Sequence, residues 1–312
     1  MSDPPARPSV LLVGGTGGLV GRALRAEFGE SWRIRSVHPN ATPGESGPGI
    51  EWIAQAIGPR TDWRPLLEGV DLVVNVAWYR SGGRRRFERL AQGLLGLAEA
   101  STRARVQRFV HLSVPDAPPA LETDLPYLSE KRRVDRAIER SGLDYHILRP
   151  TMLYGPSDRL LTVMLRAMRR YGTFPMFGDG EYHVSPLAAT DLARIVRHEL
   201  DRGGSRNVVL GGPVRWRYRD LTDRMWRALG RPPRYVHLSP RSSRVVGSLL
   251  ERVGSTLLYR YEVDWLLSDM LGVPAYGDLD RPLESVELFL DREGARGRRR
   301  STVDRGERLR TS

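Results

Sequence analysis

Residues 10–21 read VLLVGGTGGLVG, and this stretch decides the fold. Val10 to Val13 is a short apolar run with β-branched ends, the pattern of a buried strand. Glycines follow at once, three of them spaced three apart at 15, 18 and 21. RALRAEFGE (22–30) then reads as a helix, with Leu24 and Phe28 on one face and Gly29 as its stop. Strand, glycine turn and helix in that order let bare backbone approach a pyrophosphate. The first N–H groups of the helix are free, and its N-terminus carries partial positive charge. A glycine-rich turn that binds nothing is the bland alternative, and the placement after a first buried strand weighs against it.

Outward from this turn, strands are expected at 33–37, 50–53, 71–76, 109–114 and 145–148, with helices at 90–100 and 130–140. Residues 41–49 are rich in Pro, Gly and Ser and form a loop, as does the Pro-rich PDAPP at 115–119. Strands alternating with helices imply right-handed crossovers and a parallel sheet. The expectation is an α/β, doubly wound core over residues 1–150. Past Thr151 the alternation weakens. Helices at 160–171, 191–200, 218–229, within 242–271, and at 282–289, mixed with short strands, make a smaller substrate-side region and helical extension (151–293), interleaved with the core. From Gly294 to Ser312 there is no periodicity, and an Arg-rich disordered tail is expected.

Composition narrows the function. The chain of 312 residues is 40% hydrophobic and 28% charged, enough for an ordinary core. It has no cysteine, which removes disulfides, thiolate metal sites and a cysteine nucleophile. No acid cluster or His pair suggests a metal site. MSDPPARPSV has no apolar targeting core, and no apolar run approaches the ~20 residues of a membrane span, so a cytoplasmic protein without a transmembrane segment is expected. The net charge of +12 collects partly in Arg80–Arg89 and in 291–312, without any helix-turn-helix, zinc-finger or RNA-binding aromatic motif. A solvated basic face is expected rather than a specific nucleic-acid site, with the tail as the place for any protein partner.

The second strand runs out at Val37-His38-Pro39-Asn40 without the acid that would hold the adenosine ribose of NAD. Arg35 and His38, and Arg22 after the glycine turn, are the nearest bases. They slightly favour NADP(H) over NAD(H).

Tyr127-Leu-Ser-Glu-Lys131 places a tyrosine and a lysine on one helix face. A phenol titrates near ~10 and is a poor acid–base at neutral pH, but a neighbouring ammonium favours the phenolate. Lys131 is the sole lysine among 49 Lys and Arg residues. Its survival where every other basic position is Arg points to a task that needs a compact charge. Ser113 stands fourteen residues before Tyr127 at a strand end, where ligands of open α/β sheets bind. It could orient a substrate carbonyl, or merely cap a turn.

GTGGLVG, VDLVVNVAW, RFVHLSV, PYLSEK and YHILRPTMLYGP, in that order, resemble the extended and atypical short-chain dehydrogenase/reductase superfamily. Within it the chain is similar to epimerase/dehydratase-like proteins, NmrA-like proteins and the nucleotide-binding accessory subunit of respiratory complex I. The resemblance runs from about Val10 to Pro240 and implies a Rossmann-type fold binding NAD(P). It implies that Gly15, Thr16, Gly18, Leu19 and Val20, with Gly21 closing the turn, carry the pyrophosphate. Ala77 would lie beside the adenosine and Pro150 beside the nicotinamide. Tyr127 would be the acid–base, Lys131 its partner on the ribose, and Ser113 the substrate-orienting hydroxyl. Trp78, Tyr154, Phe177 and His183 are pocket candidates by position. Two family positions depart: Ala56 replaces an Asp near adenine, and Leu90 replaces the Asn of the family's V-N-x-x-G-T helix, with Gly93 retained. Two functions follow: hydride exchange at a hydroxyl or carbonyl carbon of a small molecule, or a dinucleotide-holding regulator, assembly factor or accessory subunit without turnover.

Overall fold

The structure is a computed structural model that describes residues 7–15, 17–40, 49–156, 158, 160–252 and 260–296. The chain divides into two units, one formed by residues 1–150 and 189–209, the other by 151–188 and 210–312.

The first unit carries the sheet. Its strands are β1 (Ser9–Val13), β2 (Arg33–His38), β3 (Ile50–Ala54), β4 (Leu72–Asn75), β5 (Arg108–Leu112) and β6 (Tyr145–Pro150). With the strand Arg206–Leu210 they form a seven-stranded sheet whose order runs 206–210, β6, β5, β4, β1, β2, β3. All pairings among β1–β6 are parallel. Every residue of β1 and β4 is buried, as a sheet covered on both faces requires. Helices α1 (Leu19–Phe28), α2 (Arg64–Leu67), α3 (Arg84–Arg103), α4 (Pro119–Asp124) and α5 (Pro126–Glu139) fall between these strands. The order reverses at β1, which has β2 on one side and β4 on the other, and open α/β sheets bind ligands beyond the strands' carboxyl ends at such a switch point.

The helices start earlier than periodicity alone predicts. α3 begins at Arg84 instead of 90, because Arg84–Arg86 are solvated turns ahead of the buried Phe87 and Leu90. α5 begins at Pro126 instead of 130, with proline in the first turn where its missing N–H costs nothing. α4 occupies residues that adjoin the expected Pro-rich loop, again opened by a proline.

In the second unit lie α6 (Leu161–Tyr171), α8 (Tyr218–Ala228), α9 (Pro240–Arg252) and α10 (Arg260–Leu267), while α7 (Ala189–Asp201) belongs to the first. Short strand pairs join 153–154 to 187–188, 183–184 to 216–217, and 174–177 to 235–238. A last helix, α11, spans 286–296 and not 282–289. It buries Val286 and Leu290, and Arg224 of α8 pairs with Glu287 and Asp291. Gly294, expected at the head of a disordered tail, is inside this helix: a Cβ there would stand 2.3 Å from the Ala228 carbonyl oxygen. Residues 297–312 of the expected tail lie outside the described residues.

Candidate dinucleotide site

The glycine turn shows a division of labour. Gly14 leaves β1 with φ +89° and rests on the chain after β4: a Cβ on it would stand 2.5 Å from the Ala77 Cα. A Cβ on Gly21 would stand 1.7 Å from the Gly15 carbonyl oxygen, so α1 can pack on the turn only without one. One on Gly15 would meet the Leu12 side chain at 2.6 Å. Gly17 and Gly18 differ: a Cβ on either meets nothing within 4 Å. The inner glycines bring the strands and helix together, and the outer two keep a face of the turn bare. Thr16 lies outside the described residues.

α1 is left ready for an anion. Gly18 caps it without any side-chain bond, and its first turn holds no acid. The first helical bond is Arg22 N to Gly18 O, at 3.1 Å, so the N–H groups of Leu19, Val20 and Gly21 precede the hydrogen-bond ladder. The Arg22 guanidinium bonds back to the Gly17 carbonyl, and Arg25 donates to the Gly15 carbonyl at 2.7 Å while lying over Trp52. These residues fit a pyrophosphate: bare backbone, free donors and positive charge in one place.

The bases expected to choose the cofactor are arranged otherwise. Arg35 pairs with Glu51 at 2.8 Å and donates to the carbonyls of Leu66 and Glu68 at 2.9 and 3.0 Å, tying β2 to β3 and α2. Its Nε and Nη1 donors are used inside this edge of the unit. His38 accepts from the Asn40 N–H through Nδ1 at 3.0 Å, and burial lowers its pKa, so it is neutral at pH 7.

Tyr127 and Lys131 lie in the first half of α5. Tyr127 is half-buried and meets Trp78 and Phe87 edge-on, with ring centroids 5.9 and 5.6 Å away. Lys131 is buried, 2% exposed. Its Nζ donates to the Leu112 carbonyl at 2.7 Å and lies 4.6 Å from the centre of the Trp78 ring. Trp78 thus touches both members of the pair. Burial pushes the Lys131 ammonium down to about 7; the Asp135 carboxylate pulls it up, and Arg132 opposes that pull.

Ser113 is turned to a buried carboxylate. It is 4% exposed and donates to Asp135 Oδ2 at 2.8 Å. Asp135 also takes Arg132 at 2.8 Å and Arg149 at 3.3 Å. Ala77 N–H, a donor without choice, bonds Asn75 Oδ1 at 3.1 Å, which turns the Asn75 amide nitrogen to His111 Nδ1 at 2.8 Å. His111 therefore accepts at Nδ1 and presents Nε2 to Asp135 Oδ1 at 3.4 Å. Burial lowers the His111 pKa and outweighs Asp135, so the ring is neutral. Burial alone would raise Asp135, but His111, the Ser113 hydrogen bond and the Lys131 charge together hold it below the usual carboxylate range. This polar chain links the Ala77 turn to α5. Sequence reasoning missed it, although Lys131, Arg132 and Asp135 stand at one-turn spacing that could have signalled a shared face. Pro150, the last residue of β6, is buried.

A family profile described as NAD(P)H-binding matches residues 13–171, which take in the glycine turn, Ala77, the Tyr–Lys pair and Pro150. The chain belongs to the NAD(P)H-binding family. Its fold is of the Rossmann type, shared with NAD-bound epimerase structures. The UDP-glucuronic acid 4-epimerase of Bacillus cereus, solved with NAD, superposes with a TM-score of 0.66 at 17% identity over 92% of this chain and 97% of that one. A nucleoside-diphosphate-sugar epimerase of Staphylococcus aureus gives a TM-score of 0.68 at 13% identity over 91% and 99%. At these identities the likeness is one of fold. A curated relative, NADH dehydrogenase [ubiquinone] 1 alpha subcomplex subunit 9, mitochondrial, of Arabidopsis thaliana, is 26% identical over 136 residues, 43% of this chain. The match spans 33% of that relative's length. Among the described residues no helix is long and apolar enough to cross a membrane, and no group of three or more His, Cys, Asp or Glu could hold a metal ion.

Proposed function

We propose that this NAD(P)H-binding protein is an oxidoreductase or epimerase that exchanges hydride at a hydroxyl or carbonyl carbon of a small molecule, with NAD(H) as its dinucleotide. The observation that carries the reading is the pairing of a bare glycine face at Gly17 and Gly18 with a lone, buried lysine one helical turn from Tyr127. The dinucleotide, when bound, supplies or accepts the hydride. Gly15, Gly18, Leu19, Val20 and Gly21, with Thr16, would hold its pyrophosphate, Ala77 would flank the adenosine and Pro150 the nicotinamide. The Tyr127 phenol would take or give the substrate proton, favoured by the Lys131 ammonium. NADP(H), which Arg22, Arg35 and His38 favoured on sequence, loses that support. Arg35 is held by Glu51 and carbonyls, Arg22 bonds Gly17, and His38 is neutral.

Ser113 leaves the proposed machinery, because its hydroxyl is spent on Asp135. The same observation, with Lys131 covered by Trp78, favours a second reading: a dinucleotide-holding accessory or assembly protein without turnover. Titration with NADH and NADPH, followed by a panel of alcohols and carbonyl compounds, separates the two. Turnover lost in Tyr127→Phe with binding kept supports the enzyme. Tight NADH binding with no turnover on any substrate supports the accessory protein, and absence of binding overturns both.

A further inference from the structure

The second unit contains a cavity of about 360 Å3 that the dinucleotide does not need. It lies among α6, the strand 174–177 and helices α9 and α10. Met164, Phe174, Trp265 and Leu271 are typical of its walls. Its polar side chains are few: Thr151 and Thr173, the phenols of Tyr171 and Tyr218, the indole N–H of Trp265, and the carboxyl of Glu262. Size and lining are those of a small-molecule site, apolar with a few groups to fix orientation.

What the lining omits identifies the ligand class. About one residue in six of this chain is Arg or Lys. A lining drawn at random from the composition would hold about three, yet among its described residues there is none, and the only formally charged side chain is an acid. A diphosphate or carboxylate taken from water into such walls would have no counter-charge. A neutral chain loses only its contact with water, and that transfer is favourable, ~0.8 kcal/mol per CH2. We infer that this cavity binds a neutral apolar molecule bearing one hydroxyl or carbonyl group, with room for roughly a dozen water-sized heavy atoms. The Thr151 and Thr173 hydroxyls donate to the Ser185 and Arg234 carbonyls, so a ligand hydroxyl would donate to their oxygens or to the Glu262 carboxylate. Only the step that makes this ligand the substrate class rests on the function proposed above; binding to the cavity does not.

Calorimetric titration of the full-length protein, without dinucleotide, tests it with three probes: decan-1-ol, decanoate and UDP-glucose. Decan-1-ol should bind at least tenfold tighter than decanoate, and UDP-glucose should not compete with it. Ala167→Trp narrows the cavity from its half-exposed wall and should weaken decan-1-ol at least tenfold while NADH affinity stays unchanged. Thr173→Arg, a second variant at a half-exposed position, should raise decanoate affinity relative to the alcohol. No decan-1-ol binding, equal binding of alcohol and carboxylate, or competition by UDP-glucose overturns the inference. Loss of NADH binding with decan-1-ol retained would instead count against the dinucleotide site.

Discussion

At Lys131 the ammonium has little spare room. It is buried between the Leu112 carbonyl and the Trp78 ring, with Asp135 and Arg132 close enough to move its pKa. Arginine keeps the charge but brings a larger planar fork that cannot occupy a point-charge site. Lys131→Arg should therefore lose most turnover, roughly a hundredfold or more by analogy with other acid–base assemblies. Tyr127→Phe should lose as much while still binding NADH, and the double variant should lose little more than either single one. Full activity in Lys131→Arg would remove the pair from the mechanism. The depressed pKa also has a consequence for stability. The folded state releases the lysine proton near pH 7, whereas the unfolded chain holds it to its ordinary value near 10.5. Between these values the unfolded state binds more protons, so this group makes stability rise with pH. Urea midpoints of the wild type measured from pH 7 to 9 should climb relative to Lys131→Met, and parallel curves would show that the ammonium is not desolvated. The Tyr–Lys pair was legible because four-residue spacing is local. The network of Asn75, His111, Ser113 and Asp135 was not, because it joins residues up to 60 positions apart and only strand order brings them together.

Among the elements, the turn from β1 into α1 was the most legible, since strand, glycines and helix are contiguous. The sequence could not say which glycine faces which neighbour. That distinction now separates two substitutions. Gly18→Val adds a side chain where nothing stands within 4 Å, so the fold should hold and NADH affinity should fall by at least a hundredfold as the pyrophosphate face fills. Gly21→Val drives a Cβ into the Gly15 carbonyl and should destabilise the protein by a few kcal/mol, as overpacking against backbone does. Thermal denaturation with NADH titration reads both; unchanged NADH affinity in a folded Gly18→Val would place the phosphate elsewhere. Helix starts were less legible. The first turns of α3 carry Arg84, Arg85 and Arg86, exposed residues that show no apolar periodicity. Of the basic run from Arg80 to Arg89, Arg84, Arg85, Arg86 and Arg89 form a solvated helical face, with Arg86 lying 3.8 Å over the Tyr79 ring.

Over the whole molecule, the first unit was readable because a parallel sheet buried on both faces writes nearly continuous apolar strands. The second was read less well: its strands are two to four residues long, and its helices pack through contacts that periodicity cannot assign. The chain's end shows the difference. A glycine followed by arginines looked like the start of a tail, yet α11 continues through Gly294 because that glycine lets the helix approach the Ala228 carbonyl. Leu290 is wholly buried, and Arg224 holds both Glu287 and Asp291. Leu290→Ala should therefore cost about 2–5 kcal/mol, the range for emptying a fully buried leucine site. The ion pairs at Arg224 involve exposed acids and should each contribute at most about 1 kcal/mol. Truncation after Arg296 removes no apolar periodic segment and should leave the melting temperature within error. Truncation after Ser285 removes the buried leucine and both acids, and should lower it by more than Leu290→Ala does. If the two truncations melted alike, α11 would contribute nothing to the second unit, and burial of Leu290 would have to be given up as the reason the helix extends past its glycine.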